Sequence, residues 1–430
     1  MSTALLSGLS RRSFLRSLGA ATMAAAALPG AAEVQGPAMS HGSRGQVGDR
    51  IVPVSPGDGG VVFISSNENP LGPPQSALSA IADAALMSNR YHSEIVQRTV
   101  STAVDQFGMR RGYVGLFPGS SGALYLALMS FIGKDRPLVY GDPSYEQAAS
   151  VADVVGAPKF AVKLTKSYAY DVRAMVAATP KAGAYYIVNP NNPTGTMTPK
   201  EDIVWLLKNK PKGSVVIVDE AYHQFSDADS CIDLVGADQD IIVTRTFSKI
   251  YGMAGMRAGL AFARPDYFQR FRAVAPYAPS LASVSIASAA AANAALLDMN
   301  LVPLRRKINA DNRAETLEFL GKHGYSVVPG SQTNFFMVDT RRPGGEFQSA
   351  MLGENVAVGR TWASMPTYVR VTVGTRDEMA RFQAAFVKCM GQQPASAKAK
   401  TKGSALLHEP ALNPSELDWS RPSQSAGWRA

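Results

Sequence analysis

Four short segments hold residues whose types and spacing could do chemistry together. The run Thr246-Phe247-Ser248-Lys249-Ile250-Tyr251-Gly252-Met253-Ala254-Gly255-Met256-Arg257 follows a β-branched apolar stretch. Lys249 therefore stands at the C-terminal end of a strand, where open α/β sheets bind ligands. A lysine amine there can attack an aldehyde once a desolvated or cationic setting lowers its pKa. Ser248 and Arg257 flank it with a hydroxyl and a guanidinium, a pair suited to a phosphate. Taken alone, a lysine after a strand is a solvated surface residue. The second segment is Val218-Asp219-Glu220-Ala221-Tyr222. A carboxylate ending a strand, as Asp219 does, can keep a pyridine nitrogen protonated and make the ring an electron sink. Tyr222, three residues on, can reach a phenolic oxygen of the same ring. The competing reading of Asp219, a metal-binding acid of a nucleotide-hydrolysing site, needs a GxxxxGK[ST] loop, and the sequence has none.

The third segment, Asn189-Pro190-Asn191-Asn192-Pro193-Thr194-Gly195, forces a turn after another apolar run. It places Asn192 to hydrogen-bond the phenolic oxygen; as a bare turn it would be routine. The fourth, Pro118-Gly119-Ser120-Ser121-Gly122-Ala123-Leu124, opens an apolar helix. Backbone N–H groups and the dipole at such a helix start face an anion, although a serine N-cap on a structural helix reads the same way.

The elements that must carry these segments are legible as alternating strand and helix patterns. Pro137–Tyr140, Ala184–Val188, Ser214–Val218 and Ile241–Thr244 read as short strands, and Lys200–Lys210 as a helix between two of them. That alternation indicates an α/β fold with a mostly parallel sheet, over residues 61–280. A long helical region from Ser285 to about His323 follows, then strands over Tyr325–Val328, Asn334–Val338 and Val369–Val373, and a last helix from Arg376 to about Cys389. Residues 281–390 thus read as a smaller α+β domain, with 61–75 as an arm belonging to it.

In this order and spacing the four segments resemble the class I/II aminotransferases, and among them the histidinol-phosphate aminotransferase family. Asn67-Glu68-Asn69-Pro70-Leu71-Gly72, Arg90-Tyr91, Asp142-Pro143-Ser144-Tyr145 and Tyr368-Val369-Arg370-Val371-Thr372-Val373-Gly374-Thr375 extend the likeness from about Ser65 to Met390. The resemblance implies a fold-type-I transferase dependent on pyridoxal 5′-phosphate (PLP), its aldehyde bound covalently by Lys249. It implies that Ser120, Ser121 and Gly122 hold the phosphate together with Ser248 and Arg257, with Thr246 also among the cofactor-binding residues. Tyr145 would stack on the ring, Asn192 and Tyr222 would hold its phenolic oxygen, and Asp219 its nitrogen. Tyr91 would reach the cofactor of a neighbouring subunit, hence a homodimer. Arg370 would grip an acidic group of the substrate, and Asn69 and Gly72 would lie in the loop covering it. Arg360, on the segment before, reads as a solvated surface arginine rather than a second acid-binding group.

The implied reaction is ping-pong transfer of an amino group between an amino acid or amino-phosphate donor and a 2-oxo acid. Where the family continues its Arg-Tyr with Pro-Asp, this chain has His92-Ser93-Glu94, and no acidic residue adjoins Gly122; the substrate stays open. A decarboxylase or lyase on the same fold is the alternative, told apart by release of CO₂ or pyruvate. A PLP-binding protein without turnover would have no need of the Lys249 base or the Asp219 electron sink.

Composition narrows the partners. Of the net charge of +9, the first fifty residues carry +3 and the last forty +2. The basic balance is therefore largely a property of the ends, and no aromatic-laced basic cluster points to nucleic acid. Cys231 and Cys389 belong to no CxxC or Cys/His cluster, so a zinc site is not expected and two buried free thiols are. Ser10-Arg11-Arg12-Ser13-Phe14-Leu15-Arg16 precedes a charge-free run from Ser17 to Ala32, the pattern of a twin-arginine export signal over residues 1–32. Residues 33–60 read as a linker and 391–430 as a disordered tail. The expectation is a periplasmic or secreted enzyme, loaded with cofactor in the cytoplasm and without stable membrane insertion.

Overall fold

A computed structural model describes residues 60–275 and 284–391. The export signal, nearly all of the linker and the tail lie outside the described residues.

The N-terminal arm opens with β1 (Val62–Ile64). The large sheet is then built from β2 (Val114–Pro118), β3 (Leu138–Asp142), β4 (Lys159–Lys163), β5 (Ala184–Val188), β6 (Val215–Asp219), β7 (Ile241–Thr246) and β8 (Ala258–Phe262). Their spatial order is β2-β8-β7-β6-β5-β3-β4. β8 alone runs against its neighbours; the other six strands point the same way. The central strands are buried on both faces, as the apolar runs require of a parallel sheet. Alternate residues go to opposite cores. Tyr185, Ile187, Val216 and Val218 face one, while Tyr186, Val188, Val215 and Ile217 face the other. The edge strand β4 exposes Lys159 and Lys163, charges that discourage pairing with another sheet.

The smaller part pairs β1 with β10 (Val356–Val358) in parallel and β9 (Phe335–Asp339) with β11 (Tyr368–Thr372) antiparallel. Val62, Ile64, Phe336, Val369, Val371 and Phe382 share one core, so the arm is sewn into this part rather than into the large sheet. The helix Arg376–Gly391 closes it.

Two expectations need correcting. The helical region expected from Ser285 to His323 is two helices, Ile286–Leu297 and Leu301–Lys322, bent by 82°. The Asp298 side chain accepts from the Asn300 amide at 3.2 Å, a local turn that competes with helix. Pro303 then falls in the first turn of the second helix, where a missing N–H costs nothing. The strand expected at Tyr325–Val328 is only a bridge between Val327 and Val338, cut short by Pro329 and by Gly330 at φ +76°. Cys231 and Cys389 are free and buried. Among the described residues, no single helix is long and apolar enough to cross a membrane, and no group of three metal-ligating side chains occurs.

Candidate active site

One edge of the large sheet collects the four segments. β3, β5, β6 and β7 are parallel and end there at Asp142, Val188, Asp219 and Thr246; β2 ends there at Pro118, and β8 starts opposite it at Ala258.

Lys249 follows β7. Its Nζ donates to the Ser66 carbonyl at 3.1 Å and lies 5.7 Å from the centroid of the Tyr222 ring. It forms no ion pair among the described residues. Burial, then the charge of Arg370, brings its pKa down from the ordinary 10.5 to about 8, so the neutral, nucleophilic amine is accessible near neutrality.

Asp219 is buried. It accepts from Thr244 Oγ1 at 2.9 Å, Tyr186 OH at 3.1 Å and the Ala221 amide at 3.2 Å, and makes no ion pair among the described residues. Burial raises its pKa. A fixed, buried carboxyl without a cation fits a protonated ring nitrogen, whose charge would favour the carboxylate.

The phosphate end is made largely by backbone. No side chain caps the helix Gly119–Phe131, and its first turn has no acidic residue. Gly119 sits at φ +74°, and a Cβ there would lie 2.8 Å from Arg257 Nη2. A Cβ on Gly259 would lie 2.2 Å from the Ser120 nitrogen. Two glycines thus let Arg257 and β8 close on the helix start, setting a guanidinium beside its first-turn amides. Ser248 is buried beside it and accepts from Thr246 Oγ1 at 3.0 Å. Ser120 is buried, and Ser121 and Gly122 are half-buried, on the first turn.

At the substrate end, Arg370 of β11 donates from Nη1 to Asn192 Oδ1 at 2.8 Å and from Nη2 to the Ser65 carbonyl at 2.6 Å. Its Nε is buried with no partner among the described residues. Burial lowers its pKa to about 10. Asn192 therefore commits its oxygen to Arg370 and keeps only its amide nitrogen to donate to a ring oxygen. The Tyr222 hydroxyl accepts from Asn67 Nδ2 at 3.0 Å. A buried carboxyl, a cationic phosphate cradle and an amine of depressed pKa on one edge fit a phosphorylated pyridine aldehyde.

The sequence model of the family "Aminotransferase class I and II" matches residues 60–386. The chain belongs to the class I and II aminotransferases. It is a PLP-dependent aminotransferase similar to those named for histidinol phosphate. One such relative, "Histidinol-phosphate aminotransferase 1" of Cupriavidus pinatubonensis, is 33% identical over 77% of this chain and 89% of its own. An "Aromatic amino acid aminotransferase" of Cutibacterium acnes is 30% identical over 74% of this chain and 90% of its own. The fold matches the crystal structure of histidinol-phosphate aminotransferase from Sinorhizobium meliloti in complex with PLP. The TM-score is 0.70 at 24% identity, covering 77% of this chain and 91% of that one.

In this aminotransferase the expected residues are mostly together on the sheet edge, with three different outcomes elsewhere. Tyr145 is half-buried after β3, and burial raises its hydroxyl pKa. Asn69 and Gly72 border a cleft of about 280 Å³ shared with Ser248 and Glu68. Tyr91 is 85% exposed. Arg360, expected as an idle surface arginine, is half exposed but paired: its Nη1 meets Glu146 Oε2 at 2.5 Å, and its guanidinium lies 5.1 Å from the Trp362 ring centroid. Its stretch of backbone carries it there, since the Arg360 carbonyl accepts from the Arg370 amide. Sequence reasoning also missed Asn67, Tyr186, Thr244 and Arg305. Each acts through a contact distant in sequence; only Asn67, inside a quoted motif, left a local signal.

Proposed function

We propose that this aminotransferase works as an exported homodimer, moving an amino group from an amino acid or amino-phosphate donor to a 2-oxo acid. The observation that carries the catalytic part is one pair of groups. An amine brought down to about 8 and a buried carboxyl without a cation stand on the same strand-end edge. The site roles implied by the family resemblance are consistent with that geometry.

The residues that would hold PLP are Ser120, Ser121, Gly122, Ser248 and Arg257 at its phosphate, Tyr145 against its ring, Asn192 and Tyr222 at its phenolic oxygen, and Asp219 at its nitrogen. Bound there, it supplies an aldehyde for covalent capture of amines and a cationic ring that spreads carbanion charge. Lys249 Nζ, once released, takes the proton from the donor's α-carbon and keeps it for return. Asp219 holds the proton on the ring nitrogen throughout. Arg370 orients the substrate by its acidic group, and its own bonds to Asn192 and Ser65 limit its freedom. One site serves both half-reactions, so donor and acceptor compete for Arg370 and the kinetics are ping-pong.

The test is Lys249→Ala. It should abolish amino transfer to 2-oxoglutarate and the lysine-linked visible absorbance; retained transfer would overturn the reading. Release of CO₂ or pyruvate by the wild type, without amino transfer, would favour the decarboxylase or lyase. For the dimer, mixing Lys249→Ala with Tyr91→Ala should restore activity, because one site of each mixed dimer would have both residues. For export, replacing Arg11 and Arg12 by Lys should keep the protein in the cytoplasm.

A further inference from the structure

We propose that Glu146 is a specificity-determining residue, which by pairing with Arg360 at the substrate end makes the enzyme discriminate against substrates carrying a second anionic group. The inference rests on the placement of the substrate's first acidic group at Arg370, given above.

Two guanidiniums converge on one indole. Arg360 lies 5.1 Å and Arg370 5.5 Å from the centroid of Trp362. Without a counter-charge they would form a subsite for a dianion. Glu146 changes that. It directly follows Tyr145, and its Oε2 meets Arg360 Nη1 at 2.5 Å, with the two side chains 51% and 46% exposed. The geometry is fixed from both sides. The Ser364 hydroxyl donates to Asp142 Oδ1 at 3.0 Å, tying the loop after Arg360 to the end of β3, just before Tyr145 and Glu146. On the other side, Gly359 and Arg360 pair through their backbones with Arg370.

The charge count then decides which substrates fit. A substrate with one acidic group takes Arg370 and meets a neutral polar pair beyond it. A dicarboxylate, or a carboxylate that also carries a phosphate, must displace Glu146 from Arg360 and then lie beside its negative charge. An exposed ion pair is weak enough to be displaced, but like charges left side by side are costly. Glu146 therefore sets a ratio of affinities rather than an absolute block.

The experiment compares wild-type, Glu146→Gln and Glu146→Gln/Arg360→Gln holoenzymes, titrated by calorimetry with succinate and with butanoate, two unreactive probes that differ by one carboxylate. Glu146→Gln should bind succinate about tenfold more tightly, with butanoate changed less than about twofold. The double variant should lose that gain. With glutamate as donor, Glu146→Gln should lower KM and leave kcat unchanged. An unchanged succinate-to-butanoate ratio, or a gain that survives loss of Arg360, would overturn the proposal. Amino transfer by the wild type is scored separately: its absence with any donor would sink the amino-transfer reading, while a shifted probe ratio would still support Glu146.

Discussion

Arg305 donates Nη2 to the Gly72 carbonyl at 2.7 Å and Nη1 to the Ile250 carbonyl at 3.0 Å. One buried guanidinium of the helix Leu301–Lys322 thus ties the Asn69–Gly72 loop to the residue after Lys249. Asn69 Nδ2 reinforces the tie, donating to the same Ile250 carbonyl at 3.0 Å. The approach requires glycine at 252, where φ is +67° and a Cβ would lie 2.0 Å from the Gly72 oxygen.

Arg305→Met keeps much of the volume but removes both donors. The Ile250 carbonyl retains Asn69; the Gly72 carbonyl is left without its partner. The expected loss is about 1–3 kcal/mol, read by urea unfolding. The loop that borders the cleft should also loosen, so KM for the amino donor should rise more than kcat falls. An unchanged KM would mean that the tie is structural alone.

The Lys249 amine gives a pH signature in the cofactor-free protein. Only the neutral amine captures an aldehyde, so the rate of PLP loading should climb with pH and level off above about 8. Removing a neighbouring positive charge should undo part of the depression, so Arg370→Met should move the midpoint upward. A lysine with a folded pKa below its ordinary 10.5 opposes folding below the folded value. The penalty is relieved as pH rises from about 8 towards 10.5. Thermal midpoints of cofactor-free wild type should gain on those of Lys249→Met across that window.

Asp219 carries the opposite sign. Its folded pKa is raised by burial, so the cofactor-free protein loses stability as pH rises from the ordinary 3.8 through that raised value. A cationic ring nitrogen would offset this. Loading PLP at neutral pH should therefore raise the thermal midpoint of wild type more than that of Asp219→Asn. The variant should also lose about 10²–10³-fold in kcat, the scale seen when a preorganised electrostatic partner is removed.

The strand-end residues were legible because strand ends and turn chemistry are local. Lys249, Asp219, Asn192 and Ser120 each follow an apolar run or open a helix, and the parallel sheet does the rest. What was not legible depends on long-range packing. Nothing near Arg305 announces that it will be buried against Gly72. Arg360 reads as a surface charge until the loop tied by Ser364 and Asp142 brings it to Glu146. The break at Asp298–Asn300 was hidden by apolar periodicity on either side of it.

A buried ion pair joins Glu220, the residue directly after Asp219, to Arg245. Arg245 on β7 reaches Glu220 Oε2 from Nη2 at 2.7 Å and from Nε at 2.8 Å. Glu220 also accepts from the Cys231 amide and the Ser230 hydroxyl, both at 2.7 Å. Burial alone would push the Glu220 carboxyl up, but Arg245, then His223 and these donors, outweigh it and hold the pKa below the ordinary 4.5. Wild type therefore keeps this stabilisation above that range and loses it as pH falls through the folded value. Arg245→Met leaves the carboxylate buried without a cation and should cost about 3–5 kcal/mol at neutral pH. In the variant burial wins, so its stability should fall as pH rises from 4.5 to 7, the reverse of the wild-type contribution. Glu220→Gln/Arg245→Met removes both charges and should recover most of the loss. Urea unfolding of the three proteins at both ends of that range reads the sign directly. Parallel pH slopes in wild type and Arg245→Met would show that the pair is not what keeps Glu220 ionised.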